Sequence, residues 1–218
     1  PDYELLKKYF WFYSFHNEDL LSNTTQLRQH LDFLDEHKKH QAAPFGVFQI
    51  DRQKLRGATY SAKGRWSRAI LSLYASARPK DWEHIDKDVL AINLFFSTDK
   101  PNLHHIFPTN SAYVLSQQHQ NRITSDSLMN IAYLPQITNL DITNRDPLNY
   151  LTDYDKPGFE NIAVPSHLLP LELLLWARQG QLPANAIDLF IEARVDKILN
   201  ALRERLPGIQ VSESETLA

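Results

Sequence analysis

Apolar residues recur at helical intervals over long stretches at both ends of the chain. In each stretch they stand three and four positions apart, a spacing that puts them on one face of an α-helix. These stretches are residues 3–15, 20–34, 65–77, 168–179 and 182–206. Residues 82–96 are also predicted to be helical, but the apolar run at 89–96 fits a buried strand equally well. Helices are therefore predicted to dominate the fold.

The middle of the chain carries a shorter, strand-like pattern. The turn signal Asp-Lys-Pro-Asn at residues 99–102 precedes a short segment around two histidines, residues 103–107, which Pro108 ends. Residues 130–134 again have strand composition, and residues 137–144 are predicted to form a short helix. The pattern predicts a strand–strand–helix unit in this part of the chain.

Together these elements predict an α+β fold that is mostly helical. We expect a helical segment at residues 1–99, a strand–strand–helix module at 100–151, and a second helical segment at 152–218 that packs on the first. The three parts are expected to form one compact unit. Because the chain opens at Pro1 and runs almost at once into an aromatic helix, we expect a fragment of a longer protein.

Composition narrows the chemistry that the chain can perform. It has 43% hydrophobic residues and no cysteine, so thiolate zinc sites, disulfides and cysteine nucleophiles are excluded. Any metal must be held by His, Asn, Asp or Glu. No apolar run approaches the roughly 20 residues of a membrane-spanning helix, and no signal-peptide pattern opens the chain. A cytoplasmic protein without a membrane partner is predicted.

Charge is distributed unevenly along the chain. The formal net charge is −3, yet residues 52–80 contain eight basic residues and no acidic one. Within this stretch Lys63, Arg65 and Arg68 are candidates for gripping nucleic-acid phosphates, a contact that would be independent of base sequence and sensitive to salt. The alternative is a solvated surface that balances acidic neighbours. Both interpretations fit the sequence.

Two adjacent histidines, followed by three asparagines, form the candidate site. Adjacent side chains on a strand point to opposite sides, so His104 can serve as a metal ligand while His105 acts as general base. Asn130, on the facing strand, is predicted to orient His105. Asn139, nine residues later on the short helix, is the second predicted metal ligand, and Asn144 supports it.

This donor set favours particular metals and a particular reaction. Phosphodiester hydrolysis needs an activated water and a cation that stabilises charge on the phosphate and on the departing oxygen. A neutral His and Asn set leaves coordination positions open, which favours Mg²⁺ or Mn²⁺ over a closed structural zinc site. We expect the site to fill only with substrate present.

The motif string carries a family resemblance over about fifty residues. The His-His-Ile-Phe-Pro run at 104–108, with residues 130–134, 138–139 and 144–151, resembles the HNH (ββα-metal) nuclease domain of GmrSD-like, modification-dependent (type IV) restriction proteins. The resemblance implies a ββα-metal finger between helices, and a metal-dependent endonuclease that restricts modified, double-stranded foreign DNA. It also implies that the nucleotidase domain usually found N-terminal to it is absent from this fragment.

One departure and two alternatives accompany the resemblance. Colicin-type HNH nucleases have His where this chain has Asn139, which weakens the expected zinc affinity. A catalytically inactive HNH-like module that binds DNA or docks a partner is the rival interpretation, and no residue separates DNA from RNA as substrate.

Arg145 is a candidate substrate contact, or else an ion-pair partner of Asp141 or Asp146. Double-strand cutting by a module with one site would call for an oligomer.

Overall fold

A computed structural model gives the fold of most of the chain. The described residues are 3–15, 28, 31–32, 34–36, 38–39, 49–91, 99–116, 126–206 and 208–212. Of the helix predicted at 20–34, residues 28, 31–32 and 34 are described, and they are helical. The C-terminal part of the ambiguous run at 89–96 lies outside the described residues.

Helices dominate the described residues, with short strands between them. The helices are α1 (Tyr3–Phe15), α2 (Arg52–Arg56), α3 (Arg65–Ser76), α4 (Ala112–Ser116), α5 (Gln136–Ile142), α6 (Pro147–Tyr154), α7 (Val164–Ser166), α8 (Leu171–Gln179) and α9 (Ala186–Arg205). The strands are β1 (Gln49–Asp51), β2 (Pro101–His105), β3 (Ile131–Pro135) and β4 (Gln210–Ser212). The prediction of a mostly helical α+β protein is confirmed. No described helix is long and apolar enough to cross a membrane.

The chain divides into two compact units. The smaller unit contains residues 1–53 and 202–218, and the larger unit contains residues 54–201. In the smaller unit, strand β1 pairs in parallel with β4, and Ile50 is buried on it. The aromatic helix α1 buries Trp11, and the guanidinium of Arg205 lies 5.3 Å from the Trp11 ring centroid.

In the larger unit, β2 and β3 form an antiparallel pair that leads directly into a helix. Their register sets His104 opposite Ala132 and His105 opposite Ile131. Helix α5 begins at Gln136, the residue after β3, and its Gln136 N–H donates to the carbonyl of Lys100, the residue before β2. The strand–strand–helix order predicted from the sequence is therefore present.

Trp82 is the centre of the core beside these strands. Its side chain is fully buried, and five rings surround it at centroid distances between 5.5 and 5.9 Å. These rings belong to His104, Tyr150, Tyr154, Phe159 and His167. The core therefore joins β2 to helix α6 and to the segment before α8.

The prediction that a helix begins at Trp82 is wrong. Residues 82–91 form turns, because backbone hydrogen bonds close the loop on itself: Asp81 N–H donates to Lys87 O, and Val89 N–H donates to Pro79 O. The Asp81 side chain also accepts from the N–H of Glu83 at 3.1 Å. These bonds occupy groups that a helix would need, and they turn Trp82 into the core.

Candidate active site

Strand β2 and helix α5 bring His104 and Asn139 together. The Nδ1 atom of His104 lies 2.8 Å from the amide oxygen of Asn139. Because an amide oxygen only accepts hydrogen bonds, the Nδ1–H of the neutral imidazole is the donor. The two residues predicted to be metal ligands therefore meet.

A cavity of about 250 Å³ opens beside this contact. Four of the five residues predicted to form the site border it. The residues that line the cavity are Leu103, His104, His105, Pro108, Thr109, Asn139, Leu140, Thr143 and Asn144. None of these described lining residues carries a carboxylate, so the cavity presents imidazole, amide and hydroxyl groups to a ligand.

His104 forms the buried side of the site. Its side chain is 2% exposed and meets the rings of Trp82 and Tyr150 edge-to-face. Burial lowers the pKa of His104 to about 3, and the hydrogen bond to Asn139 opposes that shift only in part. The imidazole is therefore neutral at physiological pH, which is the form that can offer a lone pair to a metal. Among the described residues, its Nε2 has no hydrogen-bond partner.

His105 occupies the accessible side of the site. It is partly exposed, whereas the neighbouring His104 is buried, and both border the cavity. A general base must reach a water molecule next to the reacting phosphorus atom. His105 borders the cavity and is partly exposed, which makes it the candidate for that role.

The side-chain amide of Asn130 hydrogen-bonds to backbone atoms and not to an imidazole. It is 1% exposed; its Oδ1 accepts from the N–H of Phe107 at 2.8 Å, and its Nδ2 donates to the carbonyl of Phe107 at 3.0 Å. Its own backbone carbonyl accepts from Ile106 N–H at 2.8 Å. Asn130 was predicted to orient His105, and these bonds place its amide on the backbone two residues after His105. Any orienting effect therefore passes through the main chain.

Thr143 and Asn144 form the rim of the cavity at the end of α5. Thr143 has a φ of 55° and a ψ of −126°, a conformation that a β-branched side chain rarely adopts. Asn144 follows it and is exposed. A threonine at this position does not indicate such a backbone, because Thr favours extended conformations.

Three side chains that sequence reasoning missed fix helix α5. The buried carboxylate of Asp81 accepts from the Thr138 hydroxyl at 3.2 Å, and Asp99 Oδ1 accepts from the N–H of Ile137 at 2.8 Å. The Tyr154 hydroxyl donates to the carboxylate of Asp141 at 3.1 Å. Burial and that carboxylate raise the pKa of Tyr154. The helix that carries Asn139 is thus held at both ends.

The donor atoms fit part of the coordination shell of a hard divalent cation. Two adjacent ligands of an octahedral Mg²⁺ at 2.0–2.1 Å are roughly 2.9 Å apart. His104 Nδ1 and Asn139 Oδ1 lie at 2.8 Å, so both can bind one ion if the imidazole proton moves to Nε2. No group of three or more His, Cys, Asp or Glu side chains forms a metal site in the described part of the chain. The fit is to an open site with two protein ligands.

The basic stretch divides into paired and exposed residues. Arg56 is paired with Asp188 and Glu192, and Asp88 binds both Arg78 and Lys80. For these cations the interpretation as charge balance holds. Their acceptors come from outside the stretch.

Three basic residues near the start of α3 were singled out as phosphate contacts. Lys63 and Arg68 are exposed, and the Arg68 guanidinium donates to the carbonyl of Lys63 at 2.8 Å. Arg65 is only partly exposed. None of the three lines the cavity described above.

Arg145 is partly exposed and lies next to the cavity residue Asn144. Its guanidinium pairs with Asp153 and donates to the carbonyl of Asn149 at 3.0 Å. The expected partners were Asp141 and Asp146, but Asp141 accepts from Tyr154, and Asp146 accepts from the N–H of Tyr113 at 3.0 Å. The ion pair therefore joins Arg145, which precedes α6, to Asp153 on that helix.

Comparison with known proteins leaves the identity of the chain open. No protein-family model, curated protein or solved structure matches it. Function is therefore inferred from the site and from the motif string.

Proposed function

We propose that the larger unit is an HNH-type, metal-dependent endonuclease domain that hydrolyses DNA phosphodiester bonds. One observation carries the proposal: His104 and Asn139 meet at 2.8 Å beside a cavity that His105 and Asn144 also border. Two side chains suited to a cation and one suited to a water thus share one small space. His104 and Asn139 are 35 residues apart in sequence, so the tertiary fold brings them together and chain proximity does not.

The order of the elements supports a ββα-metal finger. An antiparallel strand pair runs directly into a helix, the first strand supplies both histidines, and the helix supplies Asn139. That is the order in which such a finger presents its ligands. The flanking helices on both sides match the expected setting of the module.

In the proposed reaction His105 acts as general base. A neutral imidazole nitrogen of His105 takes a proton from a water molecule as the water oxygen forms a bond to phosphorus. The bond from phosphorus to the 3′ oxygen breaks, and solvent protonates the departing alkoxide. A bound Mg²⁺ or Mn²⁺ would supply Lewis-acid stabilisation of the phosphate. His104 and Asn139 would hold this cation, and Asn144 borders the cavity beside them.

The biological setting of the proposal rests on the motif resemblance. We infer a cytoplasmic role in restriction of modified foreign DNA, in a longer protein with an N-terminal nucleotidase-like domain. Double-strand cleavage would then require two copies of the module. The described residues that line the cavity include no Asp, Glu, Lys or Arg. We therefore assign recognition of the modification to parts of the protein outside the cavity.

A non-catalytic module that binds DNA or docks a partner is the second candidate. The observation that favours it is the lack of a carboxylate among the described residues that line the cavity. Such a site binds a cation weakly, and the strand–strand–helix unit can persist as scaffold. Metal dependence separates the two candidates, because a binding module holds DNA in the presence of chelator.

The decisive experiment is cleavage of supercoiled plasmid with Mg²⁺, with Mn²⁺ and with chelator. We expect metal-dependent nicking by the protein and none by His105→Ala. His84→Ala is the matched control, because His84 is exposed and lies outside the cavity lining. Cleavage retained by His105→Ala contradicts the base assignment. Chelator-resistant DNA binding without cleavage supports the second candidate.

A further inference from the structure

Arg194 is a fully buried cation in the middle of helix α9. It is 0% exposed, and its guanidinium lies 4.5 Å from the centroid of the Tyr74 ring. Nη1 donates to the carbonyl of Met129 at 2.9 Å, and Nη2 donates to the carbonyl of His167 at 3.2 Å. No carboxylate pairs with it among the described residues, so carbonyl oxygens and π electrons compensate its charge.

Burial of such a cation opposes folding. An unpaired charge loses its hydration, and an apolar side chain of similar volume is commonly as stable or more stable at such a position. Helix α9 already buries a continuous apolar surface, including Phe190, Val195 and Ile198. Core packing alone therefore does not account for an arginine at position 194. The hydrogen bonds that its guanidinium makes suggest a different reason for the arginine.

The main contact of Arg194 is the turn that carries Asn130. The turn comprises residues Leu128–Asn130, and each of its three carbonyls accepts a hydrogen bond. Leu128 O accepts from the Tyr74 hydroxyl at 2.9 Å, Met129 O accepts from Arg194, and Asn130 O accepts from the N–H of Ile106 at 2.8 Å. Arg194 and Tyr74 contact each other, so they hold the turn as a pair.

The Leu128–Asn130 turn also holds the backbone next to His105. The amide of Asn130 bonds both the N–H and the carbonyl of Phe107, and Tyr150 donates its hydroxyl to the carbonyl of Ile106. His105 immediately precedes these two residues and pairs with Ile131, the residue after the turn. Through the turn, these hydrogen bonds connect Arg194 to the main chain of Ile106 and Phe107, the two residues that directly follow the proposed base.

We propose that Arg194, together with Tyr74, is a positioning residue for the candidate active site, fixing the Leu128–Asn130 turn and through it the backbone of His105. The inference rests on the proposed nuclease function for its catalytic consequence. The planar guanidinium is suited to the role because it reaches two carbonyls at once while stacking on an aromatic ring. A lysine keeps the charge but cannot make all three contacts.

The test compares Arg194→Lys and Tyr74→Phe with Ile198→Ala. Tyr74→Phe keeps the ring and loses only the hydrogen bond to Leu128 O, so it remains informative if Arg194→Lys does not fold. Ile198→Ala removes buried apolar volume from the same helix at a side chain that cannot hydrogen-bond to the turn, and it controls for general destabilisation. Plasmid cleavage and amide hydrogen exchange are measured on the full chain at a temperature where each variant is folded.

Cleavage should separate the variants by turnover rather than by substrate binding. We expect kcat of Arg194→Lys to fall by on the order of 10²-fold, with KM nearly unchanged, because a small displacement of a catalytic group costs that much. Tyr74→Phe should show a smaller fall in kcat, and Ile198→Ala should retain kcat. An equal loss of kcat in Ile198→Ala overturns the positioning role.

Hydrogen exchange tests the inference without any activity. The Phe107 N–H, bonded to Asn130 Oδ1, should exchange roughly tenfold faster in Arg194→Lys and measurably faster in Tyr74→Phe than in Ile198→Ala. Unchanged protection of Phe107 in both variants overturns the inference. If the unaltered protein does not cleave DNA, the proposed function fails, while the exchange result still decides whether Arg194 controls the backbone at this site.

Discussion

The Nδ1 atom of His104 lies 2.8 Å from the amide oxygen of Asn139, although 35 positions separate them in sequence. The contact depends on the β2–β3 register, because helix α5 starts where β3 ends. A slip of one residue would turn His104 to the opposite face of the strand pair. The register is therefore what assembles the candidate site.

The first prediction concerns the charge of that pair. Asn139→Asp places a carboxylate next to His104 in a cavity that otherwise offers neutral groups. Because carboxylates are preferred ligands of Mg²⁺ and Mn²⁺, we expect Mn²⁺ affinity to rise by at least about tenfold, measured by isothermal titration calorimetry. Asn149→Asp, an exposed position on α6 outside the cavity lining, should leave the affinity unchanged. Equal affinity in both variants would argue against Asn139 as a ligand.

The sequence predicted the candidate site better than it predicted what supports it. Helical periodicity predicts α1 and α3. Residue type and spacing predict that His104 and Asn139 serve one metal site, and the two side chains meet in the structure. Such signals are local, or depend on a strand–strand–helix order that spacing can reveal. The structure contains both helices close to the predicted ranges, at Tyr3–Phe15 and Arg65–Ser76.

The supporting contacts could not be read from the sequence, because they are set by tertiary packing. The spacing of apolar residues predicts a helix at Trp82, yet Trp82 lies in a loop whose Asp88 forms ion pairs with Arg78 and Lys80. The sequence predicts that Asn130 orients the imidazole of His105, yet both polar atoms of its side chain hydrogen-bond to the backbone of Phe107. Nothing in the local pattern distinguishes these outcomes, since each depends on which residues meet after folding.

The second prediction concerns the backbone of Thr143. At φ 55° and ψ −126° its Cβ is strained, and glycine adopts this conformation without that penalty. Thr143→Gly should raise the free energy of unfolding by about 1 kcal/mol in urea titrations, the relief of strain exceeding the added entropy of the unfolded chain. Thr143→Ala keeps a Cβ and should show no gain. A glycine variant less stable than the unaltered protein would contradict the strain.

The third prediction concerns the exposed basic residues before and within α3. If Arg68 contacts phosphate, Arg68→Ala should weaken DNA binding uniformly across sequences and lower the slope of log affinity against log salt by about one. Arg78→Ala is the control, because Arg78 already pairs with Asp88. Fluorescence anisotropy at several salt concentrations measures both slopes. Identical slopes for the two variants would assign Arg68 to the solvated surface instead.

The fourth prediction concerns the pH dependence of stability, to which the buried residues His167 and His104 contribute. His167 is 2% exposed, and its Nε2–H donates to the carbonyl of Lys80 at 2.7 Å. Burial lowers the pKa of His167 to about 4, with the bond to Lys80 opposing the shift and the positive charge of Arg194 adding to it. The folded protein therefore keeps this imidazole neutral at pH values where the unfolded chain protonates it.

The direction of the effect follows from that difference in bound protons. Above an ordinary histidine pKa of 6.5 neither state binds the proton, and the contribution of His167 to stability is fully present. As pH falls from 6.5 towards 4, only the unfolded state gains a proton, so about 3 kcal/mol of stability is lost by pH 4. His104 acts in the same direction, because burial also lowers its pKa.

Urea titrations between pH 7.5 and pH 4.5 measure this loss. His167→Gln retains an N–H that can donate to Lys80 O but does not titrate, so its stability should fall less steeply with decreasing pH. His84→Gln, at an exposed position, should follow the unaltered protein. Parallel curves for all three proteins would mean that the pKa of His167 is the same in the folded and unfolded states. The buried contacts with Lys80 and Trp82 would then accept an imidazolium ion as readily as solvent does.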